Sequence, residues 1–395
     1  MKKSSQCNVT PPLSTLLALV TVAGPRAALA LTVVVACGNR SATNNQDKNK
    51  PNPVGVAQRG GSATATVLVD NLGLPLLPVA PPLPSVPPGL PDRPPTAIAV
   101  TPAGVALGEL LFFDTRLSQS GKTSCASCHD PELSFGGNDR ARAADGRPNA
   151  RRTPSLQNLA WQRNYAWDGR YTELAALLAP HIRGQFGNDA ATAVGRLAAI
   201  PVYQAHFARA FAAPKNAAAT ATSAVASDDA INALSQYVTT RYSGLSSWDQ
   251  LERVAATTTD ATLQAGYSLF TGAAGCATCH VPPLYTDHQF HRIGLIATPD
   301  EGRGKVDASE QGAFRTPSLR TLRQRSRFFH DASAGSLDAA IDWHLEGGRG
   351  QKADPSIIDP ALVEVVLSSE QRKSLGAFVR ALDGTQPIVN APQLP

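Results

Sequence analysis

Two five-residue stretches constrain this chain more than any other feature. Cys125-Ala126-Ser127-Cys128-His129 and Cys276-Ala277-Thr278-Cys279-His280 share the pattern C-x-x-C-H, 151 residues apart. This is the attachment pattern of c-type haem. The two thiols add to the haem vinyl groups, and the histidine that follows is held under the iron as its proximal ligand. A zinc knuckle would need four ligands closing on one ion, and a redox C-x-x-C pair or a disulfide has no need of the adjacent histidine. Two covalently bound c-type haems are expected, attached at Cys125, Cys128, Cys276 and Cys279, with His129 and His280 on the irons.

The rest of the composition fits such a chain. Its 395 residues suffice for two or three domains. The net charge of +5 is spread thinly, with no Lys/Arg run of the kind that binds nucleic acid. Only 17% of residues are charged and alanine is abundant, which suits a compact helical protein rather than a disordered one. Methionine occurs once, at Met1, so no thioether side chain of the mature chain is available as a metal ligand.

The N-terminus carries Lys2 and Lys3, then an apolar run over 27–36 that ends at Cys37. The run is too short to span a bilayer and suits a signal-peptide core. Val34-Val35-Ala36-Cys37 resembles a bacterial lipobox. The expectation over 1–37 is a leader that sends the protein to the periplasm, where a lipid on Cys37 anchors it to the outer membrane. The alternative is an ordinary signal peptide with a chance cysteine. Cys7 is discarded with the leader. Residues 38–102 read as a disordered tether followed by a proline-rich strap.

Helix signals dominate the remainder. Thr101-Pro102 pairs an N-cap with proline at the first helical position. Further helices are predicted over 171–178, 191–200, 201–211, 228–242 and 261–270, with a loop over 212–227. Ser368-Ser369-Glu370-Gln371 is a capping box, and Leu375, Phe378, Val379 and Leu382 follow at helical spacing. Strand signals are weak. The fold class is mainly α: two cytochrome-c-like haem domains, over 103–258 and 259–386, with long irregular loops and a tail over 387–395.

The motifs around the haem sites resemble the bacterial dihaem cytochrome c peroxidase/MauG family. The resemblance rests on 111–118 (LFFDTRLS), Thr153-Pro154-Ser155-Leu156, Trp167-Asp168-Gly169-Arg170, 314–320 (FRTPSLR) and 328–331 (FFHD), in that order around the two haem motifs. It implies one haem per domain with Trp167 between them as an electron relay, one haem meeting peroxide and the other storing or relaying an electron.

In that family the second haem takes Met or Tyr as its other ligand, on the helix after a His-Asp-Gly-like turn. Here that helix spans 335–348, and Leu337, Ile341, His344 and Leu345 fall on one apolar face. His344 is expected to complete a bis-His second haem, with His291 or Tyr285 as the alternative ligand. The family's reductively activated peroxidases carry a displaceable histidine in the loop after the first motif. None lies between His129 and Arg151, which implies an open, five-coordinate first haem.

The distal acid/base is less defined. Phe186 occupies the position where the family pattern has Glu, leaving Gln185 as a hydrogen-bonding residue. His181 is the residue able to shuttle a proton, or else a surface or propionate contact. The family's calcium site meets Arg152 in place of Asn, and a guanidinium there substitutes for the cation or excludes it. His330 and Arg320 are expected to bond propionates and carbonyls. The resemblance implies hydrogen peroxide as a partner. It also implies a small periplasmic electron-transfer protein, or a protein substrate oxidised at an aromatic residue. A dihaem electron-transfer lipoprotein without peroxidase activity is the competing reading.

Overall fold

Thr101 opens the first helix, α1 (Pro102–Phe113), by accepting a hydrogen bond from the Gly104 amide at 3.0 Å. The computed structural model describes residues 76–95, 99–211, 227–253, 260–295, 300–322, 324–350, 354–385 and 389–395. The leader, Cys7, Cys37 and most of the tether lie outside the described residues, as does nearly all of the loop expected over 212–227.

After the first haem motif come α2 (Leu174–Phe186), α3 (Ala190–Ala198), α4 (Pro201–Phe211) and α5 (Ser227–Thr239). The α2 helix starts later and runs further than the 171–178 expected. Its stripe of Leu174, Leu178, Ile182 and Phe186 packs on the core and carries the helix through Pro180, which forfeits one N–H. Gly187, in the left-handed region, then ends it.

The second half contributes α6 (Ser247–Arg253), α7 (Ala261–Thr271), α8 (Leu337–Leu345) and α9 (Ser369–Ala381). Asp260 caps α7, Ser336 caps α8, and the Ser368/Gln371 capping box opens α9. Among the described residues the sheet is one two-residue antiparallel pair, β1 (Phe290–His291) on β2 (Phe314–Arg315). The fold is mainly α.

Each half builds its core the same way. In the first, α1 packs on α5 through Leu107, Leu111 and Phe112 against Leu234 and Tyr237. In the second, α7 packs on α9 through Phe270 against Leu375 and Phe378. Burying each such side chain stabilises by about 1.5–3 kcal/mol. A glycine at each crossing lets the helices touch. A Cβ on Gly108 would lie 2.0 Å from the Ala233 carbonyl oxygen, and one on Gly266 would lie 2.1 Å from that of Ser374.

Packing crosses the boundary expected at 258/259. Trp248, ten residues before the expected boundary at 258/259, stacks on Tyr267 and lies in the second core. The C-terminal segment returns to the first core, where Val389 and Leu394 pack. The strap over 76–95 runs along both halves. Asp92 accepts from the Trp161 indole at 3.1 Å, Pro88 from the Leu245 amide at 2.7 Å, and Gly89 from Arg320 at 2.7 Å. Arg320 also makes a two-pronged ion pair with Asp249 at 2.7 Å, both side chains fully buried.

Gly108→Val or Gly266→Val is expected to force its helix pair apart and cost about 1–3 kcal/mol of stability. Urea unfolding of the two variants measures this, and an unchanged midpoint in both would remove the close-crossing account.

Candidate haem-binding active site

Each C-x-x-C-H motif folds as a single tight turn, Cys125–Ser127 and Cys276–Thr278. The histidine amide returns to the first cysteine's carbonyl, His129 to Cys125 at 2.8 Å and His280 to Cys276 at 2.9 Å. Thiols and imidazole are thereby held together by local backbone bonds. In both turns the ring Nδ1 meets a carbonyl, that of Phe135 at 3.1 Å for His129 and that of Tyr285 at 3.0 Å for His280. A carbonyl only accepts, so Nδ1 carries the proton and Nε2 keeps its lone pair for a metal. Burial, with His181 close by, holds His129 down at about 4; burial, with His344 close by, does the same for His280. Both rings are neutral at pH 7, the form that binds metal.

A cavity of about 1120 Å³ borders Cys125, Cys128 and His129 on one side and α2 on the other. Across it, the His181 ring lies 6.3 Å from the His129 ring, centroid to centroid, at 52°. In the second half the His280 and His344 rings stand 6.5 Å apart at 65°. His344 donates from Nδ1 to Ala340 at 2.7 Å, and Phe329 lies 5.8 Å from its ring. The alternatives to His344 are engaged elsewhere. His291 is clamped between Asp359 at 2.6 Å and Asp287 at 2.8 Å, and Tyr285 packs against Phe270 and Phe378.

Two residues that the sequence placed near the first haem have close partners here. Opposite His129 on the cavity wall, α2 carries His181. Gln185 lines the cavity but pairs its amide with that of Asn149, at 3.0 and 3.1 Å, and so serves to join α2 to the loop after the first motif. Phe186 is buried in the first core.

Trp167 lies between the halves, 5% exposed. Its indole N–H donates to the Arg152 carbonyl at 2.8 Å, and its own carbonyl accepts from the Arg315 amide of the second half at 2.9 Å. The Arg152 guanidinium stands 5.4 Å from the ring centroid and donates to the carbonyls of Gly137 at 3.0 Å and Phe329 at 2.9 Å. Burial lowers Arg152 to about 10, so it stays charged at neutral pH.

The same region tests whether haem fits. Arg315 and Arg325 line a small void beside Trp167, and Nε of Arg315 and both Nε and Nη2 of Arg325 are buried without a hydrogen-bond partner. His330 Nε2 is likewise unmatched. Unpaired guanidinium donors are costly to bury. Haem propionates are carboxylates that would supply the missing acceptors, so the residues present fit the group. Sequence reading did not single out Arg315 and Arg325 as a pair, since their convergence has no local signature. Arg320, by contrast, spends its donors on Asp249 and on the carbonyls of Pro283 and Gly89.

Comparison with known proteins places this geometry. Residues 102–257 match the family model described as di-haem cytochrome c peroxidase. The methylamine utilization protein MauG of Methylorubrum extorquens is 37% identical over 308 residues, 76% of this chain and 84% of that protein. The chain belongs to the dihaem cytochrome c peroxidase/MauG family. A second family member, the cytochrome-c peroxidase IdrP1 of Denitromonas iodatirespirans, is 30% identical over 74% of this chain and 84% of its own. Among solved structures, a MauG-like protein associated with microbial copper homeostasis superposes with a TM-score of 0.63 at 25% identity. That match covers 78% of this chain and 95% of the other. Family membership makes the protein a dihaem oxidoreductase of the peroxidase class.

The Trp-Asp-Gly-Arg motif of this family is anchored by charge. Asp168 accepts from Arg151 at 2.7 Å and from Arg170 at 2.8 Å, and Arg151 also grips Asp300 at 2.6 and 2.7 Å. Burial alone would raise the Asp300 carboxyl, but Arg151 outweighs it and holds it down to about 2. A carboxyl depressed by folding contributes stability that is present above its unfolded value of about 3.9 and is lost as pH falls through the folded one. Asp300→Asn is expected to lower the urea midpoint at pH 6, and the gap from wild type should narrow between about pH 4 and pH 2. A gap independent of pH would contradict the pairing.

Proposed function

We propose that this protein is an exported, lipid-anchored dihaem peroxidase of MauG-like character. It uses hydrogen peroxide at the haem held by Cys125, Cys128 and His129. A bis-His haem at Cys276, Cys279, His280 and His344 shares the oxidising equivalents. The electrons come from a small periplasmic redox protein or from an aromatic residue of a protein partner. Reducing peroxide to two waters consumes two electrons and two protons. The haems supply the redox chemistry, and the protein supplies attachment, orientation and proton handling.

One observation supports this reading above the rest: Trp167 is pinned between the two imidazole-bearing sites. Its N–H is fixed on Arg152 and its carbonyl on Arg315, and a ring held in one orientation at the joint of the halves supports a relay role. His181 is the proton-moving group on the α2 wall, since Phe186 has no titratable atom and Gln185 cannot exchange a proton at neutral pH. The Arg152 guanidinium takes up carbonyls from both halves, the kind of ligand a calcium ion would use. The site therefore works without calcium. Anchoring through Cys37 in the periplasm rests on the lipobox-like sequence.

Dihaem electron transfer without peroxide turnover is the second reading, favoured by a phenylalanine at 186. Adding peroxide to the diferric protein with an electron donor separates the two: peroxide consumption coupled to donor oxidation is expected, and none would leave the relay reading. Trp167→Phe is expected to slow donor oxidation roughly tenfold or more, about 1.4 kcal/mol, with haem content unchanged. Full activity in that variant would exclude the relay role. Calcium chelation is expected to leave both the spectrum and the rate as they are; loss of either would refute substitution by Arg152.

A further inference from the structure

Three charged side chains, Asp287, His291 and Asp359, sit together beside the second C-x-x-C-H turn. The His291 ring donates from Nδ1 to Asp359 at 2.6 Å and from Nε2 to Asp287 at 2.8 Å. Each carboxylate also accepts from a backbone amide, that of Gln289 for Asp287 and that of Ala361 for Asp359, both at 2.9 Å. Ionised carboxylates only accept, so both ring nitrogens carry protons and the ring is an imidazolium. The three side chains are at most 25% exposed, so salt and water screen them far less than surface charges. Two carboxylates and one imidazolium leave a single net negative charge.

That charge lies against the haem attachment. Sγ of Cys279, a carboxylate oxygen of Asp287 and a ring nitrogen of His291 are all within 4.8 Å of one another. The Asp287 amide donates to the Cys279 carbonyl at 2.8 Å, and the Asp359 amide donates to the carbonyl of Arg292, next to His291, at 2.9 Å. The field reaches the proximal ligand. Burial and the His344 ring lower the affinity of the His280 ring for a proton, the Tyr285 carbonyl and Asp287 raise it, and His291 lowers it. Of the other groups facing the triad, Thr316 is a neutral donor to Asp287 and Arg292 is a cation near Asp359. The cluster is not built for a metal ion, since both ring nitrogens are spent on carboxylates and neither has a lone pair to offer.

We propose that Asp287, His291 and Asp359 set the reduction potential of the second haem, their net negative charge favouring its oxidised form. This rests on the proposed function in giving that haem an oxidising equivalent to hold, and it deepens that reading by naming what holds it there. Loss of one electron makes the haem more positive by one charge, with no proton moved, and a nearby negative charge lowers the energy of that form. His291 is a positioning residue. It offsets one of the two carboxylates and fixes both at Cys279, much as groups behind a metal's own ligands tune the metal.

The test uses the full-length holoprotein, with two haems per chain verified by mass and pyridine haemochrome. Spectroelectrochemical titration reads the potential of each haem. Asp359→Asn removes a negative charge and should raise the potential of the second haem. His291→Gln removes the positive charge and should lower it. The spin state of the second haem should be that of the wild type in both variants, and the first haem should shift less than the second. A merely structural role, in which loosened packing admits water to the haem, would move both variants in the same direction. Shifts of the same sign overturn the proposal, as do a potential left at the wild-type value or a changed spin state in either variant. Should Asp359→Asn fail to load haem, Asp287→Asn must give the upward shift or the proposal falls. In each of these failures the proposed function stands if peroxide is still consumed. Opposite shifts in a protein that consumes no peroxide keep the triad and remove the peroxidase reading. A chain that loads no haem at Cys276/Cys279 overturns both.

Discussion

Arg152 is buried at the joint of the two halves with its guanidinium directed at backbone carbonyls rather than locked in a carboxylate pair, and much of the site is arranged around it. Gly137 from the first half and Phe329 from the second both accept from it. A buried charge is tolerable only where dipoles or counter-charges replace water, so these two segments must stay where the guanidinium needs them. Trp167 then lies against the cation and bonds to the carbonyl of the same residue. The further arginines nearby, Arg315 and Arg325, have donors left over for the carboxylates of the two haems.

The halves repeat one device with different parts. A glycine-notched helix leads into a tight C-x-x-C-H turn, the turn's histidine is oriented by a carbonyl five or six residues on, and a second histidine faces it from a later helix. The facing residue is His181 on α2 in one half and His344 on α8 in the other. The strap and the returning C-terminal segment tie the halves together. Trp167 sits at that joint, held through both its indole N–H and its carbonyl.

Much of this was legible in the chain. The attachment cysteines and proximal histidines form a contiguous motif whose chemistry is local, and the helix caps at Thr101 and Ser368 act over three residues. His344 could be picked out because the spacing of Leu337, Ile341 and Leu345 identifies its face. The direction of His181 could not. It depends on how α2 is rotated about its axis, which the packing of Leu174, Leu178, Ile182 and Phe186 on the first core decides. The same packing extended α2 through Pro180, where local rules place a break. Gln185 looked like a free distal donor because Asn149, its partner, lies 36 residues away.

The sequence by itself determined the two C-x-x-C-H turns, the helical character and the family, since each depends on residues adjacent in the chain or on a periodicity along one helix. Only the tertiary structure decided what stands opposite each proximal histidine, which arginines converge on Trp167 and where the halves divide. Those are long-range juxtapositions. They are set by which apolar stripes meet in the two cores, and no short stretch of sequence encodes the rotation of one helix against another.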